Sequence, residues 1–394
     1  MDIDLFNGVS KLSSINLTAL ENDRHAQDAN MSTSLYPELG CYLLPGHSRK
    51  PAELISEVRD AEELGLGSAW VSERFDVKEA GVCIGAAAAV TERIHIGTAA
   101  TNINTRHVMS TAAMASSAHH ISNGRFALGI ARGVGIRQDL WGIPKVNNTQ
   151  LRDFSDMMKK LWRGERIMGY DGALGKFPYL HMADWLAADI PQLFVGFGPK
   201  SLSFAGSVFN GVILHTFLSD EALQRATKLV RQGAERAGRD PDSVKVWSVL
   251  ACGVDPSEEQ YLRLAVARMA TYLQAPGYGE LLVAINDWDS RILESFRAHP
   301  TVANMPGGID SVASLEQLRE IQTLIPEEWL PAAIGSADYA AQRIQQQFKA
   351  GANGVILHAS TAAECAPAIA AYGDIRNAQD FIGRTNRPAE ADNK

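Results

Sequence analysis

Residues 40–72, GCYLLPGHSRKPAELISEVRDAEELGLGSAWVS, contain the pattern that decides the fold. Gly40–Leu44 is a short apolar run, and Pro51 then opens a helix at a position where its missing N–H leaves no hydrogen bond unmade. The apolar residues of this helix recur with helical spacing: Leu54, Ile55, Val58, Ala61 and Leu64. Gly65 ends the helix, and Ser68–Ser72 forms the next apolar run. The segment therefore predicts two parallel strands joined by one helix.

The same alternation of apolar runs and amphipathic helices continues along the chain. Eight strands are predicted: Gly40–Leu44, Ser68–Ser72, Ile94–Ala100, Arg125–Ile130, Gln192–Val195, Val212–Leu214, Val244–Cys252 and Gly354–Leu357. Their runs are continuously hydrophobic, as expected of strands that are buried on both faces. No Gly-rich dinucleotide fingerprint follows the first strand, which argues against an open doubly wound sheet. The sequence therefore predicts an α/β fold, a closed (β/α)8 TIM barrel.

Three stretches depart from this rhythm. Residues 165–190, after strand four, and residues 274–334, after strand seven, are interpreted as insertions. Residues 1–34 are polar and weakly periodic, so we expect an N-terminal extension there. Residues 35–394 are then a single barrel domain.

A short motif occurs twice. Asn210–His215 and residues 353–358 both read NGVILH, and each combines a turn, a buried strand and a histidine where the strand ends. Equivalent positions in repeated βα units explain the match, although a match of this length also arises by chance.

The composition excludes several classes of partner. The net charge of −8 argues against nucleic acid and anionic membranes, which both select for basic surfaces. The four cysteines lie in apolar stretches without a CxxC pair, so they predict core residues, a reducing compartment and no metal site. No apolar run approaches about 18 residues, and Met1–Leu12 lacks the features of a signal peptide. We therefore expect a cytoplasmic protein without a membrane segment.

The loop after strand five carries the clearest ligand-binding pattern. In a barrel, sites gather at the carboxyl ends of the strands. Here Gly196 and Gly198 precede a helix that begins at Pro199, so the amides of Lys200 and Ser201 would point toward an anion, assisted by the helix dipole. An ordinary βα turn has the same pattern, and the sequence leaves both interpretations open.

Other strand ends also carry polar side chains. Arg132 and Gly133 either combine a cation with close backbone approach or form an ordinary turn with a solvated arginine. Glu73 and Arg74 point in opposite directions along an extended strand, so at most one faces the lumen, and we favour Glu73 as a ligand contact. Four histidines follow strands and are either structural or catalytic: His47, His107, His215 and His358.

The common hydrolase and phosphotransferase motifs are missing from the sequence. The chain has no HExxH, no GxSxG and no Walker sequence. Anion-binding loops without an obvious nucleophile suggest that a bound cofactor supplies the chemistry.

Several segments together resemble one known family. Glu53–Phe75 is similar to the opening of the luciferase-like monooxygenase superfamily. Further segments fit the same pattern: IHIGT at 94–98, SNGRF at 122–126, LGIARG at 128–133, GPKS at 198–201 and GANGV at 351–355. Within the superfamily, the chain most resembles the branch that uses the deazaflavin coenzyme F420 rather than FMN.

The resemblance implies a cofactor site at the mouth of a (β/α)8 barrel. The cofactor phosphate would lie at the strand-five loop, on Gly196, Gly198, Lys200 and Ser201. A non-prolyl cis peptide would support the deazaflavin ring near the end of strand three, and the contacts there would be Ala99, Ala100, Thr101 and Asn102. The loop after strand four would also contact the cofactor, through Arg132, Gly133 and Val134.

The chain departs from the family's sugar-phosphate dehydrogenases at two positions. Those enzymes carry an Asp-His pair where this chain has Glu73-Arg74, and an acidic residue where it has Val134. The departures weaken a glucose-6-phosphate interpretation and remove the family's usual proton donor. The catalytic acid or base is then expected among His47, Glu73 and His107, or on the substrate. The 274–334 insertion either shapes a substrate pocket or packs over the barrel or at a subunit contact.

The expected function is hydride transfer between F420 and an organic carbonyl, alcohol or activated alkene. An FMN-dependent monooxygenase of the same superfamily and a catalytically silent flavin-binding protein are the alternatives. We expect a small-molecule substrate, a homodimer, no metal, and neither nucleic-acid nor membrane partners.

Overall fold

The structure, a computed structural model, describes residues 34–46, 48, 50–133 and 135–391. Its core is a barrel of eight strands: β1 (Tyr36–Tyr42), β2 (Leu66–Val71), β3 (His95–Thr98), β4 (Phe126–Ala131), β5 (Gln192–Val195), β6 (Gly211–Ile213), β7 (Lys245–Val254) and β8 (Gly354–His358). Each strand pairs in parallel with the next, and β8 pairs with β1, so the sheet closes on itself. The predicted TIM barrel is confirmed.

One helix follows each strand of the barrel and leads to the next strand, and the last helix follows β8. These helices are α1 (Leu54–Glu63), α2 (Ala80–Ala89), α3 (Val108–Ile121), α4 (Asn148–Trp162), α5 (Pro199–Val208), α6 (Asp220–Arg236), α7 (Ala337–Lys349) and α8 (Ala366–Ile375). A 3₁₀ turn, Pro51–Glu53, leads into α1, and the helix stops before Gly65, whose φ is +78°. Glycine adopts this left-handed conformation without a steric penalty, so the chain can turn toward β2 at this residue.

The helix starts follow capping residues in the sequence, with one shift. The sequence predicts Ser219 as the cap of α6, and its side chain accepts a hydrogen bond from the Ala222 amide. The sequence also predicts Thr149 as the cap of α4, but Thr149 lies inside the helix and Asn147 caps it instead. Asn147 and Gln150 exchange side chain-to-backbone hydrogen bonds of 3.0 and 2.9 Å, which satisfies two amides at once.

Two tryptophans fill the barrel interior beneath the mouth. The rings of Trp70 and Trp247 meet edge to face with centroids 6.1 Å apart, and both side chains are fully buried. Gly97 and Gly354 face them, and a Cβ added at either glycine would lie within 2.5 Å of an indole ring. The Trp247 indole donates to the Pro388 carbonyl at 2.8 Å, so residues beyond α8 close the floor of the barrel.

The repeated NGVILH motif occupies equivalent positions in the barrel. The Asn210 side chain accepts a hydrogen bond from the Gln192 amide at 2.9 Å, which ties the start of β6 to the start of β5. The Asn353 side chain accepts one from the Val246 amide at 2.8 Å and ties β8 to β7 in the same way. The histidines that end the two motifs both lie at the mouth.

The stretch predicted as the first insertion, residues 165–190, lies between α4 and β5. It contains an antiparallel hairpin, Ile167–Gly172 with Gly175–Leu180, and a 3₁₀ turn at Asp184–Leu186. The Tyr170 hydroxyl donates to Asp153 of α4 at 2.6 Å, so the hairpin is attached to the outside of the barrel.

The excursion after β7 is helical and begins earlier than residue 274. Its helices are Glu258–Tyr261, Ala267–Gln274, Tyr278–Asn286, Ser290–Ala298, Pro300–Ala303, Ile309–Val312 and Leu315–Gln322, with a π-helical turn at Leu262–Val266 and a 3₁₀ turn at Glu327–Trp329. Asp255, Pro256 and Glu258 are typical of a helix start, and a helix does begin at Glu258, capped by Ser257 and Gln260. The helix that packs against β7 and β8, however, is α7. We call residues 258–329 the lid segment.

The remaining elements are short. They are the helix Gly135–Trp141, the 3₁₀ turns Pro241–Ser243 and Ala378–Phe381, and the strands Thr101–Asn102 and Ala333–Gly335. The described residues from Ser34 onward form one compact unit, and the predicted extension lies outside the described residues apart from Ser34. All four cysteines are buried and unpaired, and no helix in the described ranges is long and apolar enough to cross a membrane.

Candidate active site

The carboxyl ends of the strands and the lid segment form a mouth lined with polar and aromatic side chains. Tyr42 ends β1, His215 follows β6 and His358 ends β8. Tyr272 and Tyr278, from the lid segment, contact the ring of His215 with centroids 4.7 and 5.3 Å away. His215 of the barrel and two tyrosines of the lid segment therefore lie together at this mouth.

Glu73 lies just beyond β2 with a carboxylate that is fully engaged by the protein. Its Oε2 accepts from the Thr101 hydroxyl at 2.8 Å and lies 2.7 Å from the Arg106 guanidinium. Its Oε1 accepts from the Ala80 amide at 2.8 Å, and the side chain has no exposed surface. Arg106 also bonds Glu79 and the Thr101 hydroxyl. The geometry makes Glu73 an anchor for neighbouring segments rather than an open ligand contact.

The segment that Glu73 anchors contains a cis peptide bond between Ala99 and Ala100. The cis peptide lies where the family resemblance implied. The Glu73 amide donates to the Ala100 carbonyl at 2.9 Å, and the next residue is Thr101, which the carboxylate holds. Asn102 then begins the turn toward α3, with its side-chain oxygen close to Gly133. Backbone and side chain of Glu73 together hold this turn against the end of β2.

The strand-five loop forms the start of α5. Gly198 is the N-cap residue, Pro199 is the first helical residue, and no side chain caps the first turn. The Gly196 amide donates to the Ile213 carbonyl at 3.1 Å, which fixes the loop to β6. The first turn therefore presents backbone amides with the positive end of the helix dipole behind them.

Arg132 connects the strand-four loop to this helix start. Its guanidinium donates to the Ser201 hydroxyl at 2.7 Å and also bonds the Asn148 side chain. The guanidinium carbon lies 5.6 Å from the centroid of the Phe194 ring. Burial lowers the pKa of Arg132 from its ordinary value, but an arginine remains charged. Arg132 and Ser201 thus bring a cation and a hydroxyl to the same place as the α5 amides.

Lys200 and Gly133, two further residues predicted to contact the cofactor, lie near the start of α5. Lys200 is exposed and has no hydrogen-bond or ion-pair partner among the described residues. Gly133 has a φ of +82°, and a Cβ there would lie 2.6 Å from the Gln138 side chain. The left-handed φ at Gly133 therefore favours glycine on conformational grounds.

His107, a predicted catalytic residue, caps α3. Its Nδ1 accepts a hydrogen bond from the Met109 amide at 3.2 Å, and its ring meets Phe177 of the hairpin with centroids 5.3 Å apart. These contacts give the exposed imidazole a structural role. The other two candidates of the sequence analysis at the mouth, His47 and Val134, lie outside the described residues.

The loop after β1 is held by a buried lysine. The Lys78 ammonium donates to the carbonyls of Leu43 and Leu44 at 3.1 and 2.9 Å, and burial lowers its pKa to about 8. The Leu44 amide donates to Glu57 at 2.6 Å, and burial raises the pKa of this carboxyl. The loop after β1, which forms one side of the mouth, is thus held in place by the Lys78 and Glu57 side chains that lie behind it.

Two residues of the lid segment that the sequence analysis did not single out, Arg268 and Tyr272, reach the mouth. The Arg268 guanidinium is 3.1 Å from Asp310 and packs against Gly46, where a Cβ would lie 2.4 Å from it. The π-helical turn Leu262–Val266 directly precedes both residues, and such turns are frequent at functional sites. A π turn has no clear sequence signature, so these side chains could not be assigned to the mouth from the sequence.

A sequence profile of the family described as luciferase-like monooxygenase matches residues 31–354. The chain belongs to this family. Among curated relatives of this luciferase-like protein, the 5,10-methylenetetrahydromethanopterin reductase of Methanolobus tindarius is 30% identical over 196 residues, which cover 50% of this chain and 59% of the relative. The match thus spans about three fifths of that relative's length.

Solved structures share the fold of this luciferase-like protein. The coenzyme F420-dependent tetrahydromethanopterin reductase of Methanopyrus kandleri has a TM-score of 0.69 and 21% identity, with 87% of this chain and 97% of that chain covered. The oxygenating constituent of 3,6-diketocamphane monooxygenase of Pseudomonas putida, in complex with FMN, has a TM-score of 0.60 and 20% identity, with 86% and 96% covered. At these identities the structural likeness establishes the fold alone.

Proposed function

We propose that this luciferase-like protein is an F420-dependent oxidoreductase that transfers a hydride between the deazaflavin and an organic carbonyl, alcohol or activated alkene. The observation that carries the proposal is the anion-binding arrangement at the strand-five loop. Uncapped amides, the Ser201 hydroxyl and the Arg132 guanidinium lie together at the start of α5, and the exposed Lys200 belongs to the same first turn. The F420-dependent reductases among the relatives and solved structures support the choice of cofactor.

The donors present fit a phosphate-bearing cofactor. Backbone amides at a helix start, a hydroxyl and two cations are the groups that proteins use for phosphate. Gly196 leaves room for the Phe194 ring, because a Cβ at this position would lie 2.7 Å from that ring. When bound, the deazaflavin supplies a ring carbon that accepts or gives a hydride.

We further propose that the residues around the cis peptide support the cofactor ring. Ala99, Ala100, Thr101 and Asn102 form one side of the mouth, and Glu73 holds them in place through its backbone and its carboxylate. Glu73 is then a positioning residue. Arg132 and Gly133 belong to the adjoining loop, which connects this segment to the start of α5.

Cofactor titration tests the proposal. Purified protein is titrated with F420 and, separately, with FMN, and tryptophan fluorescence quenching gives each Kd. We expect F420 to bind at least about tenfold more tightly than FMN, and Lys200→Ala to weaken F420 binding by a similar factor, since one phosphate contact to a cation contributes about 1.4 kcal/mol or more. Tight FMN binding without F420 binding would refute the proposal.

An FMN-dependent monooxygenase is the second candidate, favoured by the FMN complex among the structural neighbours. FMN also carries a phosphate, so the same loop would accept it. Oxygen consumption by the protein with reduced FMN and a substrate distinguishes the candidates. Cofactor occupancy without turnover on a broad substrate panel would instead favour a silent flavin-binding protein.

We also propose that the protein is a homodimer that joins through the outer faces of α2 and α3. Val82 and Ile121 are 73% and 55% exposed on these helices, and a Cβ on Gly85 would meet no atom within 4 Å. Light scattering after size-exclusion chromatography measures the mass. Val82→Asp should convert a dimer to a monomer, and a monomeric wild type would refute the proposal. A cytoplasmic location remains a prediction.

A further inference from the structure

Tyr278 and His215 form a hydrogen-bonded pair at the bottom of the mouth. The Tyr278 hydroxyl lies 2.5 Å from Nε2 of His215, so the lid segment and the end of β6 meet through these two side chains. Protein surrounds both residues, yet part of each side chain remains accessible to solvent. Half-buried polar groups at the carboxyl ends of the strands are the usual position of ligand contacts in a barrel.

The hydrogen bonds define the protonation of the pair. Nδ1 of His215 lies 2.7 Å from the Thr216 carbonyl oxygen, which only accepts, so Nδ1 carries the proton. Nε2 is then an acceptor, and the Tyr278 hydroxyl donates to it. Burial lowers the pKa of His215 to about 4 and raises the pKa of Tyr278 well above its ordinary value, so both groups are uncharged at neutral pH.

Other aromatic rings surround the pair. Phe197 lies against both members of the pair, with ring centroids 4.7 Å from His215 and 5.3 Å from Tyr278, and Tyr272 stacks on Tyr278. The positive charge of Arg268 is paired with Asp310 at 3.1 Å. Burial also lowers the pKa of His358 to about 3. Tyr278 and His215 thus carry no charge that would favour a phosphate or carboxylate over an uncharged oxygen, and the nearby Arg74 acts on Tyr272 instead.

We propose that Tyr278 and His215 bind the oxygen of an uncharged alcohol or carbonyl substrate and relay its proton. This inference rests on the proposed F420-dependent function and assigns the proton-transfer groups and substrate class of that site. It differs from the sequence prediction, which placed the acid or base on His47, Glu73 or His107.

The relay balances in both directions. In oxidation, the substrate hydroxyl gives its proton to the Tyr278 oxygen while the Tyr278 proton moves to Nε2 of His215, and the carbon-bound hydride leaves to the oxidised deazaflavin. The resulting imidazolium is stabilised by its Nδ1–H bond to the Thr216 carbonyl, and its proton returns to solvent after the product leaves. In reduction, each transfer runs in reverse.

The first test needs no turnover. ¹⁵N NMR of imidazole-labelled protein reports Nε2 of His215, assigned by its absence in His215→Gln. Cyclohexanol and cyclohexanone are the probes, and glucose 6-phosphate is the anionic comparison. We expect cyclohexanol or cyclohexanone to shift the Nε2 resonance in wild type and not in Tyr278→Phe. The proposal would be overturned if neither uncharged probe shifted the resonance, or if the shift in Tyr278→Phe were the same as in wild type.

The second test separates binding from proton transfer. With F420 and whichever probe shifts the resonance, His215→Gln should lower kcat by about 100-fold or more while KM changes little, because an amide oxygen accepts the tyrosine hydrogen bond but cannot take up the proton. Tyr278→Phe should lower kcat and raise KM. Tyr261→Phe, the same change elsewhere in the lid segment, should leave both within about twofold.

The outcomes distinguish this proposal from the proposed function. If wild type does not bind F420, the proposed function fails. If wild type binds F420 and oxidises or reduces a substrate while His215→Gln keeps its kcat, the relay is wrong and the proposed function stands. If only the anionic probe is turned over, the substrate class is wrong.

Discussion

Replacing Glu73 with Gln removes one negative charge from the buried cluster that anchors the cis-peptide turn. The wild-type carboxylate lies 2.7 Å from Arg106 and accepts from Thr101 and from the Ala80 amide. A glutamine keeps one acceptor oxygen. Its NH₂ group replaces the other oxygen and must then face a group that donates to the wild-type carboxylate. Arg106, 16% exposed, keeps only its contact with the half-exposed Glu79 as an ion pair.

The magnitude follows from this burial. Removing one partner of a buried ion pair costs about 3–5 kcal/mol, and because Arg106 keeps Glu79 we expect the lower end, about 3 kcal/mol of unfolding free energy. Glu79→Gln is the matched control, because Glu79 pairs with the same arginine at 45% exposure. An exposed pair contributes about 0–1 kcal/mol, so the control should cost no more than about 1 kcal/mol.

Urea unfolding followed by circular dichroism measures both variants, and F420 titration measures the effect on the site. Glu73→Gln should weaken F420 binding, because the turn at Ala99 and Ala100 loses its anchor, whereas Glu79→Gln should not. Equal destabilisation by the two variants would refute the argument from burial. Unchanged F420 affinity in a folded Glu73→Gln protein would refute the positioning role.

Three further perturbations test other parts of the structure. Gly354→Ala should destabilise the protein by about 1–3 kcal/mol, because its Cβ would lie 2.3 Å from the Trp247 ring, whereas Gly85→Ala, with no atom within 4 Å, should be neutral or stabilising in thermal melts. Lys200→Ala should weaken F420 binding about tenfold without changing the melting temperature, and unchanged binding would remove Lys200 from the site. Burial lowers the pKa of His119 from 6.5 to about 4. Between these two pH values, the imidazole of His119 is therefore protonated in the unfolded chain but not in the folded protein. The contribution of His119 to the unfolding free energy should therefore be fully present above pH 6.5 and fall by up to about 3 kcal/mol toward pH 4. His95, His215 and His358, whose pKa values burial also lowers, add to the total fall, so in urea titrations His119→Gln should lose less stability over this range than wild type.

The barrel could be predicted because its information is local. Each strand is a short apolar run, and each helix start carries a capping residue or a proline, so Ser219 and Pro199 mark helices without reference to the rest of the chain. The shift from Thr149 to Asn147 shows the limit of this approach. Both residue types cap helices, and the reciprocal bonds with Gln150 decide between them.

The chemistry of the mouth depends on contacts between distant segments. Whether Glu73 faces a ligand or an arginine depends on where the turn after β3 places Arg106. The pairing of His215 with Tyr278 requires that a lid helix cross the end of β6, which no spacing in the sequence indicates. The location of the cis peptide was predictable only through the family resemblance. The sequence therefore indicated the loops of the site but not the roles of the side chains on them.

The packed floor of the barrel has a consequence for the kinetics of the proposed reaction. Because Trp70 and Trp247 are fully buried beneath the mouth, no path through the described barrel interior leads to the site from below. The cofactor and the substrate must then share one entrance, and whichever lies deeper has to enter first and leave last. Initial rates with both reactants varied, combined with product inhibition, should show a compulsory order of binding, and a random order would indicate a second route past the lid segment.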